Sequence, residues 1–584
     1  LAEEAVKDPH HVKAMKPLPS RKMKKEVPLM DCFVAPCKEG CPIHQDITTY
    51  LQLVGEEKYE EAMEVITEKN PLPFITGTIC AHNCMSKCTR NFYETPVHIR
   101  EMKLKAAENG YEALLEKLPV PAVTKAGKAA VIGGGPAGMA AAYFLRKGGM
   151  EVTLFEAKES LGGVVRHVIP PFRISEDAIE KDAEILRKMQ VDIHCNTKLE
   201  SLEELKKQGY TKIVLAVGAP VQGSLKLESG MPKNALEFLA EFKQTDGKVS
   251  LGKHVVVIGG GNTAMDTARA AKRNAGVEHV YLIYRRTRRY MPADEEELVM
   301  ALEDGVEFKE LLSPVKLENG QLFCKVMQLS DYDVSGRRGV TETGETVWVP
   351  ADTVIAAVGE KVPTDWYQAN GLAVSEKGRL YVDEKTLKTS DDNVYAAGDG
   401  LYGPATVVEA IRDGRKVAEA IAGEVLACDF DKLAEEEKVY AKRGVLKEEQ
   451  KETKEAGRCL GCSTICENCV EVCPNRANIA IQVPGMEKHQ IIHVDYLCNE
   501  CGNCKSFCPY SSAPYLDKFT LFETEADMEN SKNQGFAVLD QETRRCKVRF
   551  FGKTFIWEPE KPAALPDGLG RMIETVCRDY SYLI

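Results

Sequence analysis

Two stretches, KAAVIGGGPAGMAAAYFLRKGG at 128–149 and KHVVVIGGGNTAMDTARAAKRN at 253–274, share one pattern. Each runs from a short apolar segment through a glycine cluster into an alanine-rich stretch of helical character. That is strand, tight turn and helix, the opening of a βαβ unit. Three later segments end alike: VLAVGA at 214–219, VIAAVGE at 354–360 and VYAAGDG at 394–400. Two glycine turns with these returning strands predict two nucleotide-binding domains, the second set within the first.

The first turn reads Gly133-x-Gly135-x-x-Gly138. Its glycines allow a tight turn, close approach of backbone to a pyrophosphate, and close helix packing, with the helix N-terminus facing the phosphates. The following strand, EVTLFEA, ends in Glu156, placed to accept hydrogen bonds from a ribose. The second turn, Gly259-x-Gly261-x-x-Ala264, is the alanine variant of the motif. Its next strand, HVYLIY, runs into Arg285 and Arg286 rather than an acid. Guanidinium groups there suit a 2′-phosphate and a carboxylate would repel it, so NADPH is favoured over NADH. Arg288 and Arg289 read as surface cover. Gly398 and Asp399 follow a further strand, and a helical pattern starts at Thr406. An acid there suits ribityl hydroxyls, and the helix start suits negative charge on a reduced flavin.

Twenty cysteines are many. CLGCSTICENCVEVCP at 459–474 holds five of them, and Cys498-x-x-Cys501-x-x-Cys504-x-x-x-Cys508-Pro509 has the bacterial ferredoxin spacing. In that pattern three cysteines bind one [4Fe–4S] cluster and the fourth reaches the other. The expected sets are therefore Cys462, Cys466, Cys469 and Cys508, and Cys498, Cys501, Cys504 and Cys473. Cys462 stands one residue too far from Cys466, and Cys459 is a spare candidate. Structural zinc is the competing reading; two Cys-Pro endings and the exchanged fourth ligand favour iron and sulfide. Disulfides fit neither the length of the chain nor the clustering. A redox-active CxxC of the disulfide-reductase kind is missing between 129 and 428, so flavin electrons leave by another route.

With LGG at 161–163, IPPFR at 169–173 and YRRTRRYMPADEEEL at 284–298, the sequence resembles the family of the glutamate synthase small (β) subunit. That family includes the N-terminal half of dihydropyrimidine dehydrogenase. The likeness covers roughly 30–428 and implies FAD and NADPH, with Gly163 among the cofactor-binding positions. CKEGCPIHQDI at 37–47 and FITGTICAHNCMSKCTR at 74–90 resemble the family's iron–sulfur domain. The resemblance implies that Cys41, Cys80, Cys84 and Cys88 hold one [4Fe–4S] cluster. A further cluster at Cys32 and Cys37 stays open, because Leu29 stands where the family has a cysteine and Lys103 where it has a glutamine. With the C-terminal ferredoxin-like part, the order is similar to that of proteins described as selenate reductase subunits. The substrate in that description is not carried over.

The fold expectation is α/β throughout. Residues 1–30 read as a linker and 31–126 as a helical iron–sulfur domain. The FAD-binding domain takes 127–245 and 360–428, with the NADP-binding domain at 246–359. A charged connector at 429–457 leads to a two-cluster ferredoxin domain at 458–514 and a small C-terminal region at 515–584. The formal net charge of −12 speaks against nucleic acid or an anionic membrane as the main partner. No apolar run is long enough to span a bilayer, and a cytoplasmic location is expected. The functional expectation is an oxidoreductase module carrying electrons from NADPH through FAD and three [4Fe–4S] clusters to a partner subunit or domain. Three rival readings are a ferredoxin-to-NADP reductase, an electron-bifurcating subunit, and a non-catalytic relay.

Overall fold

The computed structural model describes residues 20–332, 337–430, 433–447, 454–559, 561 and 565–584. Most of the expected linker and part of the charged connector lie outside them. The chain forms two compact units. Among the described residues the first comprises Thr67–Ala81 and Tyr111–Cys428, and the second 20–66, His82–Gly110 and Asp429–Ile584.

The first unit contains two parallel sheets. Strands Val394–Ala396, Tyr210–Leu215, Lys128–Ile132, Glu151–Phe155 and Asp192–His194 lie in that order in one sheet. Lys233–Asn234, Thr353–Ala356, His254–Ile258, His279–Tyr284 and Glu307–Glu310 form the other. All strands of the second sheet fall between Tyr210–Leu215 and Val394–Ala396 of the first, so the second domain is inserted in the first. The apolar runs at 129–132 and 255–258 are buried on both faces, as central parallel strands require.

Three boundaries differ from the sequence expectation. The inserted domain starts at Lys233, not at 246: strand Lys233–Asn234 pairs with Ile355 and Ala356. Asn234 then caps helix Ala235–Gln244, accepting from the N–H groups of Leu236 and Glu237. Phe238, Leu239 and Phe242 of that helix belong to the inserted domain's core. A three-stranded antiparallel sheet, Leu312–Glu318, Gln321–Tyr332 and Arg338–Pro350, extends the domain without any nucleotide signature. The two crossings between domains, Val221–Gln222 and Glu360–Lys361, pair antiparallel.

The second unit is built on a six-stranded sheet running in chain order from Asn478–Ile481 to Lys553–Trp557. The expected break at 514 and 515 does not divide the fold, because Gln490–Val494 pairs directly with Phe519–Phe522. Helix Asp567–Asp579 packs Leu569, Met572, Ile573 and Val576 into the same core. The expected helical domain 31–126 is likewise divided: Thr67–Ala81 and the part from Tyr111 onward belong to the first unit. There Asp182 accepts hydrogen bonds from the N–H groups of Phe74 and Ile75, at 3.1 and 2.8 Å, and so caps helix Pro73–Ile79.

Candidate cofactor and cluster sites

The first glycine turn is a cradle closed on one side only. Gly133 has φ +105°, and a Cβ there would meet the carbonyl oxygen of Ala216 at 2.3 Å. Gly138 permits the helix Pro136–Lys147 to start against the turn, since a Cβ would lie 1.9 Å from the Gly133 oxygen. Gly135 has open space, its nearest neighbour being the Cα of Gly163 at 3.8 Å. Gly162 donates its N–H to the Gly134 oxygen at 2.8 Å, which holds the LGG stretch beside the turn. Two glycine-lined strips of bare backbone therefore face one another, as a pyrophosphate requires. Glu156 ends its strand buried, accepting from Gly134 N–H at 2.6 Å and Lys158 N–H at 2.8 Å. Each carboxylate oxygen keeps a further lone pair for a ribose. These residues fit the adenine-side half of FAD.

Gly398, at φ +69°, turns the chain so that Asp399 accepts from Ala405 N–H at 3.0 Å. Burial raises the Asp399 carboxyl above its ordinary range. Glu360, raised by burial and by the charge of Asp399, stands near it, and the sequence reading missed it. Thr406 caps helix Val407–Ala422 in a capping box with Glu409, so its hydroxyl is engaged in building the helix start. Gly414 lets this helix cross the helix Pro136–Lys147 closely, a Cβ there meeting the Ala137 oxygen at 2.6 Å.

In the inserted domain, Gly261 is open, while Gly259 lies against the Ala357 oxygen, where a Cβ would approach to 2.5 Å. Ala264 is buried in the first turn of helix Asn262–Arg273. The MPA stretch supports the turn: Ala293 donates its N–H to the Gly260 oxygen, and Asp294 and Asn262 exchange two hydrogen bonds. Arg285 leaves the strand end exposed, with no hydrogen bond or ion pair of its guanidinium among the described residues. Arg286 donates Nε to the Arg338 oxygen at 2.8 Å, and Arg288 pairs with Glu310.

IPPFR joins the two domains. Phe172 packs on the inserted domain's core, with the guanidinium groups of Arg269 and Arg273 over its ring. Arg173 bonds Asp266 at 2.8 Å and also Glu297, both buried. Burial raises Asp266 to about 6, against the opposing pull of Arg173 and Arg269. The native state then holds a proton that the unfolded chain has already lost between pH 4 and 6. This contribution to stability is present below pH 4, falls as pH rises through that window, and levels off above it. Two pKa units correspond to about 3 kcal/mol at most. Asp266→Asn is expected to flatten the melting temperature of the first unit between pH 4 and 7 relative to wild type. Parallel profiles for the two proteins would refute this.

Among the described residues no cysteine forms a disulfide. In the second unit twelve cysteines ring three cavities, four to each. Cys473, Cys498, Cys501 and Cys504, one of the two sets expected from the ferredoxin spacing, line one cavity. Backbone N–H groups of Ala477 and Glu500 donate to the sulfurs of Cys473 and Cys498 at 3.2 and 3.3 Å. Cys466, Cys469 and Cys508 line a second cavity, and its fourth cysteine is Cys32 rather than the expected Cys462. Cys462 lines the third with Cys459, Cys37 and Cys88. Cys88 thus departs from the expected set with Cys41, Cys80 and Cys84. Of these, Cys80 belongs to the first unit, and Cys41 and Cys84 to the second. Among the described residues no three or more His, Cys, Asp or Glu side chains converge on a single metal ion. Each quartet surrounds a space instead. Four cysteine thiols around each cavity are the donor set that a [4Fe–4S] cluster takes.

These features define a two-dinucleotide oxidoreductase joined to iron–sulfur domains. The sequence model of pyridine nucleotide-disulphide oxidoreductases matches 127–414, and that of the 4Fe-4S domain II of dihydropyrimidine dehydrogenase matches 18–113. The glutamate synthase [NADPH] small chain of Azospirillum brasilense is 33% identical over 67% of this chain and 86% of its own length. The NAD-dependent dihydropyrimidine dehydrogenase subunit PreT of Escherichia coli (strain K12) is 31% identical over 67% of this chain and 91% of its own. The chain belongs to the family of FAD- and iron–sulfur-containing pyridine-nucleotide oxidoreductases that these two represent. YgfK of Escherichia coli (strain K12), named an oxidoreductase, is 40% identical over 94% of this chain and 54% of its own length. The chain therefore spans about half of that relative. No helix among the described residues is long and apolar enough to cross a membrane.

Proposed function

We propose that the chain oxidises NADPH and delivers the electrons singly to a redox partner, either a further domain or another subunit. The observation that carries this reading is that one chain holds two units of different equipment. One has two glycine cradles and no CxxC beside them; the other gathers twelve cysteines around three cavities. Bound FAD supplies the exchange between two-electron hydride chemistry and one-electron transfer, and iron–sulfur clusters supply the onward path. The protein's share is orientation. Gly133, Gly135, Gly138, Gly163 and Glu156 are assigned to FAD, with Gly398, Asp399 and Thr406 at its flavin end. Gly259, Gly261, Ala264, Arg285 and Arg286 are assigned to NADPH. The Phe172 and Arg173 contacts keep the two cradles in one register. No acid or base is needed for hydride transfer, so none is assigned. One family relative is named for NADPH and another for NAD, so the preference rests on the arginines at the strand end. So many cluster-type cysteines suit a reducing compartment, and the reading is of a cytoplasmic module.

The test is anaerobic addition of NADPH, and separately NADH, to purified protein. Flavin bleaching followed by EPR signals of reduced clusters is expected with NADPH. Reduction by NADH alone would overturn the assignment of the arginines. Reduction by ferredoxin but by neither nucleotide would favour flow from ferredoxin to NADP, and reduction by dithionite alone would favour a relay with an inactive nucleotide site.

A further inference from the structure

The irregular spacing at Cys462 has a structural counterpart. A regular ferredoxin run would place a cysteine three residues before Cys466, where Ser463 stands. The structure brings a cysteine to that cavity from the other end of the chain. Residues 23–34 lie along the ferredoxin-like part. Met23 donates its N–H to the Pro509 oxygen, and Ser511 donates back to Met23. Asp31 and Gln490 exchange two hydrogen bonds at 2.8 and 2.9 Å. Tyr510 donates its hydroxyl to the Val34 oxygen at 2.7 Å, and Lys518 donates to the Pro28 oxygen at 2.8 Å. Phe33, only 1% exposed, packs with Cys469, Ile491 and Cys504. Cys32 is carried in beside it.

Cys462 is released by this substitution, and with Cys459 it forms a CxxC pair. That pair meets Cys37 and Cys88 around its own cavity. The grouping is fixed by a buried ion network. Arg90 is fully buried and donates to the Arg458 oxygen at 2.5 Å; Glu94 takes both guanidinium groups, and Glu455 pairs with Arg458 at 2.6 Å. Such a network is expensive to break once one partner is removed, so it locks 88–95 against 455–459. Thr89 Oγ1 lies 3.1 Å from the Cys462 sulfur, where a hydroxyl can donate to a thiolate.

We propose that Cys37, Cys88, Cys459 and Cys462 hold a [4Fe–4S] cluster of their own, and that Cys32 completes the ligands of the cluster at Cys466, Cys469 and Cys508. Both clusters then draw ligands from segments more than 350 residues apart in sequence, so loading them staples the N-terminal cysteines to the ferredoxin-like part. The proposal rests on the reading of the chain as an iron–sulfur protein.

Iron and acid-labile sulfide, with EPR of the dithionite-reduced full chain, test it. Cys459→Ser, Cys462→Ser and the double variant are each expected to lose about four irons and the same EPR signal. Cys32→Ser and Cys466→Ser are expected to lose a different signal in common. The Cys462→Ser, Cys466→Ser double variant is expected to lose about eight irons. A loss of only about four there, or full iron in Cys459→Ser and Cys37→Ser, overturns the proposal while leaving the functional reading in place. Wild-type protein without iron overturns both. Retained FAD in the first unit and the surviving signal from Cys473, Cys498, Cys501 and Cys504 report folding. If Cys459→Ser does not fold, Cys37→Ser makes the same prediction from the other end of the chain.

Discussion

A single methyl group at position 138 is expected to strip the protein of FAD. The Gly138→Ala Cβ would stand 1.9 Å from the Gly133 carbonyl oxygen, and backbone cannot move aside as a flexible side chain can. Gly133 has no room to yield: it already holds φ +105°, and its own Cβ direction points at the Ala216 oxygen. The turn must open or the helix Pro136–Lys147 must shift, and overpacking of this kind costs on the order of 1–3 kcal/mol or more. Either movement removes the helix start from the phosphate position. FAD per chain, read from the flavin absorbance of purified protein, is expected to fall at least about tenfold, the loss that 1.4 kcal/mol produces. Gly135→Ala is the informative partner. Its Cβ has no neighbour closer than 3.8 Å, so the empty protein accommodates it, and any loss of FAD there reports a clash with the ligand itself. A Gly138→Ala protein that retains full FAD would mean the cofactor does not depend on this turn.

The glycine turns were legible because their constraint is local. Strand, turn and helix lie within about twenty residues, and a Cβ at Gly133 or Gly138 collides with backbone that the same stretch or its partner strand supplies. The insertion of one nucleotide domain in the other was legible for the same reason, from the order of the strand endings. The domain edge at Lys233 was not: a two-residue strand has no periodicity to detect, and only its pairing with Ile355 and Ala356 defines it. The cysteines divide in the same way. Cys498, Cys501 and Cys504 come from one turn and its helix, so spacing predicts their grouping. Cys32 and Cys37 meet partners more than 420 residues onward, and no spacing rule spans that distance. The one trace in the sequence was negative: a ferredoxin run with its first cysteine out of place and an extra CxxC in front of it.

Arg285→Ala is expected to raise KM for NADPH by roughly 10- to 100-fold, as the loss of a charge-assisted contact worth about 1.5–3 kcal/mol implies. KM for NADH and kcat with either nucleotide are expected to change less than about twofold, because the 2′-phosphate is remote from the reacting ring and is removed equally from ground and transition states. The strand His279–Tyr284 delivers Arg285 to the place where an NAD-selective domain presents an acid. Arg285 is exposed, with its fork free for a bidentate contact, whereas Arg286 already spends Nε on the Arg338 oxygen and Arg288 is held by Glu310. Arg286→Ala should therefore cost less than Arg285→Ala, and Arg288→Ala should cost almost nothing. Steady-state reduction of an artificial one-electron acceptor, measured with both nucleotides across the three variants, checks the order. Equal losses for NADPH and NADH would show that Arg285 acts on the shared part of the nucleotide, and the basis for NADPH over NADH would be gone.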